Sequence, residues 1–92
     1  MSTKAELMEK VLKKHKHHVD EFMNMFDTTT LKLMKEASTI LIKKLEVEKM
    51  IVDTTAVKDV IQADIMTTQH NLAVINSAIV LKGKKIANFC YN

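Results

Sequence analysis

The chain has 92 residues, room for a single domain spanning residues 1–92 and no more. Hydrophobic residues make up 47% and charged residues 27%, a mixture that folds and does not stay disordered. With no proline and one glycine, Gly83, it lacks the turn chemistry of β-sandwiches and barrels and cannot build a glycine-rich phosphate loop. Its 14 basic residues are all lysines against 11 acids, and with no arginine to clasp guanine, duplex nucleic acid is not an expected partner.

The first predicted helix runs from about Thr3 to Met25. Thr3 and Glu6 form a capping box, the hydroxyl serving a first-turn amide and the carboxylate reaching back. Leu7, Met8, Val11, Leu12, His15, Val19, Phe22, Met23 and Phe26 then recur at three- and four-residue steps, one apolar stripe on one face. No signal-peptide core exists there, because lysine and glutamate interleave the apolar positions.

Asp27, Thr28, Thr29 and Thr30 interrupt the pattern, since short polar side chains compete for the backbone. Asp27 or Thr28 can cap a second helix reaching about Met50. Leu31, Met34, Ala37, Ser38, Leu41 and Leu45 make one stripe on it, and Leu33, Ile40, Val47 and Ile51 make a second. Two stripes on one helix call for neighbours on two sides.

Asp53, Thr54 and Thr55 punctuate the chain again before a third helix from about Thr54 to Lys82 or beyond. Val57, Ile61, Ile65, Thr68, Leu72, Ile75, Ile79 and Ile86 share its main face. Gly83 offers a left-handed stop, but Ile86 and Phe89 keep the spacing, so continuation is expected. The most apolar run, Leu72 to Leu81, is about ten residues, half of what a bilayer crossing needs. The single Cys90 cannot form an internal disulfide and is read as a small packed hydrophobe. The expected fold is therefore all-α, a compact three-helix protein without a membrane span, residing in the cytoplasm. Its apolar positions exceed one thin core, and seven methionines add to them, so assembly as a symmetric homo-oligomer is expected.

Three places invite chemistry. His15, His17, His18, Asp20 and Glu21 put titratable pairs on shared helix faces, but a closed metal site needs three or four convergent ligands. The cluster reads as a solvated face with His15 partly buried, and neither a metal nor a cofactor is expected. Asp20, Glu21 and His70 can be drawn as an acid–base set, yet no nucleophile motif supports them, so an enzyme is not expected. The stretch Phe26 to Lys35 is richer. Helix-start amides, the hydroxyls of Thr28, Thr29 and Thr30, and the lysines Lys32 and Lys35 are the ingredients of an anion site. Phe26 beside them is an aromatic on which a base can stack.

Two stretches resemble the small helical phage proteins of the anti-CBASS sponge family, which sequester cyclic oligonucleotide messengers. In the first, Phe26 and Asp27 lead through Thr28 to Thr30 into a helix carrying Lys32, Lys35, Ala37 and Ser38 and then Leu41 and Ile42. In the second, His70 to Ala78 is an alanine-containing amphipathic run followed by Lys82 to Ala87. Together they cover about half of the chain. The turn lacks the family's glycine and proline, the last helix lacks its glutamate and tryptophan, and the first helix is longer. The resemblance implies a viral protein active in the host cytoplasm, a symmetric homo-oligomer such as a hexamer, and immune evasion by binding cyclic di- and trinucleotides without cleaving them. It assigns Lys35 to phosphate, Phe26 to base stacking and Thr28 to Thr30 to hydrogen bonding. The competing expectation is a small helical interaction protein, a chaperone or host-enzyme inhibitor acting through an apolar helix face.

Overall fold

Three α-helices follow one another in the computed structural model, which describes residues 3–91, with the backbone alone for 85–91. They are α1 (Lys4–Met25), α2 (Thr28–Ile51) and α3 (Thr55–Tyr91), and no strand occurs among the described residues. The starts of α1 and α2 each follow from a short polar side chain. The Thr3 hydroxyl accepts from the Glu6 N–H at 3.2 Å, and the Asp27 carboxylate accepts from the Thr30 N–H at 2.7 Å, satisfying amides that the helix itself leaves orphaned. α1 ends at Phe26, whose N–H still reaches the Phe22 carbonyl at 3.1 Å while its own backbone turns extended. α3 passes straight through Gly83, which keeps an ordinary negative φ. The expectations for the side chains of Ile86 and Cys90 lie outside the described residues.

α3 is the spine. Its 37 residues rise about 55 Å at 1.5 Å each, which accounts for most of the molecule's 58 Å length. α2 folds back antiparallel along about the first two thirds of it, from Lys49, which donates to Gln62 at 2.6 Å, past the buried Ile61 and Ile65 to Leu31 beside Val74 to Ala78. α1 meets α3 further on and never packs its backbone on α2. All three helices contribute to one small cluster: Val19 from α1, Leu31 from α2, and Val74, Ile75 and Ala78 from α3. Phe22, Met23, Phe26, Met34 and Ile79 pack around it, half-buried.

The expected compactness is not found. The radius of gyration is 16.8 Å, against about 12 Å for a compact chain of this length, and the dimensions are 58 × 41 × 17 Å. The reason lies in the stripes. Leu7, Met8, Val11 and Leu12 on α1 are all more than half exposed, and so are Leu33, Ile40, Val47 and Ile51 on α2. One half of the α1 stripe and the whole second stripe of α2 find no partner within the described chain. No helix among the described residues is long and apolar enough to cross a membrane.

Candidate functional site

The six residues expected to form an anion site divide between two neighbouring places. Phe26, Thr28, Thr29 and Thr30 belong to the α1–α2 junction, whereas Lys32 and Lys35 face a groove between α2 and α3.

At the junction, Asp27 already supplies a negative charge to the start of α2. Hydrogen bonds from the Thr30 hydroxyl and the Thr30 N–H hold its carboxyl below the usual carboxylate range, with the Lys82 charge adding to them. A helix start capped by its own carboxylate offers an incoming phosphate fewer open amides and a like charge. The Phe26 ring is half-buried against the core and sits edge-on to Phe22, centroids 5.5 Å apart. Lys82, half-buried on α3, donates its ammonium to the Phe26 carbonyl. This contact ties the spine to the end of α1, where the helix leaves carbonyls unpaired. Periodicity alone did not reveal it, because Lys82 lies 56 residues from its acceptor.

The groove holds about 530 Å³ and is open to solvent. Lys32, Lys35, Glu36, Thr39 and Ile40 come from α2, and Ile79 comes from α3. Lys32 and Lys35 are three apart and thus share a helix face. The described ion pairs, Glu9–Lys13 and His17–Glu21, both lie on α1, so neither groove lysine is engaged in one among the described residues. The Thr39 hydroxyl donates to the Lys35 carbonyl at 2.9 Å and therefore faces the groove as an acceptor. Glu36 brings a negative charge that the sequence reading did not weigh. Its position one turn after Lys32 was the available signal. Ile40 and Ile79 give the groove an apolar wall, so it pairs two cations with surface suited to a flat apolar group.

Comparison with protein-family models, curated proteins and solved structures finds no match for this chain. The functional reading therefore rests on the groove and on the two uncovered stripes.

Proposed function

We propose that the protein binds and sequesters cyclic di- or trinucleotides without cleaving them, acting as a homo-oligomer. The observation that carries this reading is the groove itself, where Lys32 and Lys35 stand beside the apolar side chains of Ile40 and Ile79. A cyclic dinucleotide presents two phosphates and two flat bases, and each phosphate needs a donor or cation once partly desolvated. Lys35 takes a phosphate, Lys32 supports it, and the isoleucines receive a base. Thr28 to Thr30 and Phe26 stay in the proposal as the neighbouring edge, two to nine residues earlier in the chain than the two lysines. Ile40 belongs both to the groove and to the uncovered stripe of α2. A second copy seated on that stripe would close the groove and repeat the lysine pair by symmetry.

Calorimetry of the wild type and Lys35→Ala against a panel of cyclic di- and trinucleotides tests it. Losing a charge-assisted contact worth about 1.5–3 kcal/mol should weaken binding roughly ten- to hundredfold, with the fold intact because Lys35 is exposed. No heat from any ligand with the wild type ends the proposal, and equal affinity in both proteins moves the site elsewhere.

A second reading has its own observation. The exposed row of Leu33, Ile40, Val47 and Ile51 suits a protein partner, as in a chaperone or an enzyme inhibitor. Thermal melting separates the two, since a sponge gains about 2.7 kcal/mol at a hundredfold ligand excess over its dissociation constant and a chaperone gains nothing.

A further inference from the structure

The uncovered stripe of α2 is bordered by charges whose order bears on what covers it. Leu33, Ile40 and Val47 recur every seven residues, each more than half exposed, on the side of α2 turned away from the buried Leu31. Along one edge of this row stand four exposed ionic residues, in the order Lys32, Glu36, Lys43 and Glu46. At about 100° per residue all four fall on the side of the row that carries the groove, and Lys32 and Glu36 line it. The described ion pairs both lie on α1, so none of the four is engaged in one among the described residues. α3 packs on the opposite side of α2 and leaves the row open.

We propose that a second copy of this chain occupies the stripe, its α2 running antiparallel about a two-fold axis at Ile40, with each copy's Lys43 standing at the other's groove. This specifies the homo-oligomer of the proposed function. About that axis Leu33 meets Val47 of the second copy, and Ile40 meets its own counterpart. The same operation sets Lys32 against Glu46 and Glu36 against Lys43. Every contact on that edge then joins opposite charges, and each occurs twice, which fixes direction and register. A parallel pair would set Lys43 against Lys44 across the seam, like against like. In the antiparallel pair Lys44 lies on the other edge beside Ala37, where its stem covers apolar surface and its ammonium stays in water. The two-fold axis keeps both grooves on the same side of the seam. Glu36 opposes a bound anion in a lone chain, and in the pair Lys43 of the second copy neutralises it.

Light scattering of the wild type at micromolar concentration should give twice 10.5 kDa, or an even multiple where the α1 stripe adds copies. Ile40→Lys places two cations together at the axis and should halve that mass, with the circular dichroism of the helices unchanged because Ile40 is exposed. Glu36→Lys should weaken the pairing roughly tenfold, and adding Lys43→Glu should restore it. Residues 36 and 43 are two turns apart on one helix, so this rescue cannot arise within a chain. Adding Lys84→Glu instead restores the net charge away from the seam and should not rescue. In a Cys90→Ser background, Ile40→Cys should oxidise to a disulfide-linked dimer. Leu33→Cys, roughly 21 Å along the helix from its counterpart, should not. A wild type at 10.5 kDa, failure of Lys43→Glu to rescue, or equal cross-linking of the two cysteine variants would overturn the proposal. Calorimetry with cyclic dinucleotides separates it from the nucleotide reading. Heat from a monomeric wild type keeps sequestration and removes this interface, whereas a rescued dimer that gives no heat keeps the interface and removes sequestration.

Discussion

Along α2, Leu31, Met34, Ser38 and Leu45 of the first stripe are buried or half-buried, although Ala37 and Leu41 of it are exposed, whereas along the first half of α1 Leu7, Met8, Val11 and Leu12 are all open to water. Both stretches have the same three- and four-residue rhythm, and both start at a side-chain cap with good geometry. They differ in what lies across from them. α2 folds back on α3 through the short link at Val52–Thr54, while α1 meets α3 only along its second half, from His15 through the shared cluster to Phe26. Amphipathic rhythm therefore specifies which face wants a partner and leaves open whether the same chain provides it.

The contrast can be broken most forcefully at the place where the two regions join. Ile75→Ala removes a fully buried side chain of the shared cluster and should cost about 2–5 kcal/mol in chemical denaturation. A cost below about 1 kcal/mol would mean that the cluster does not hold α1 in place. Lys82→Met keeps the apolar stem and deletes the charged donor to the Phe26 carbonyl, so a loss of about 1.5 kcal/mol is expected. If that loss is real, α1 should also become more susceptible to limited proteolysis than α2.

Asp27 sharpens the comparison through pH. Asp27→Ala should lower the melting temperature by about 4–8 °C, as losing a helix cap does in a domain of this size. Folding lowers the carboxyl pKa from its ordinary 3.8, so the folded chain holds this proton less tightly than the unfolded one. The stability it contributes is complete above that ordinary value and is lost as pH falls through the lower folded value. Asp27→Asn keeps a capping oxygen and should flatten this part of the acid limb. An unchanged acid limb in that variant would remove Asp27 from the account.

The smallest effect belongs to the open stripe. Leu12→Lys should change the melting of the isolated chain by no more than about 0.5 kcal/mol, because Leu12 is exposed. Light scattering at micromolar concentration reads the other half of the expectation. If the stripe is an interface, the wild type exceeds 10.5 kDa and the lysine variant approaches it. A wild type already at 10.5 kDa would refute the homo-oligomer.

The helices and their starts were legible because they depend on local chemistry. Thr3, Asp27 and the apolar spacing act over four residues, and the passage of α3 through Gly83 followed from Ile86 and Phe89. What spacing does not encode is which stripe meets which. The contact of Lys82 with Phe26 and the meeting of His70 with His15 and His18 join residues more than fifty positions apart. The groove was half legible: Lys32 and Lys35 were named from α2, whereas Ile79 depended on how α3 lies beside it.

The 17 Å thickness has a consequence for how the molecule opens and closes. A slab that thin has room for no more than two helices one above the other, so few amides are shielded from both sides. Hydrogen exchange should therefore grade along the spine, slowest at Val74 to Ala78, where α1 and α2 both contribute to the cover, and quick at Lys4 to Leu12. A second copy laid over the open stripes would slow exchange first in the α1 residues, turning the fastest segment into a readout of assembly.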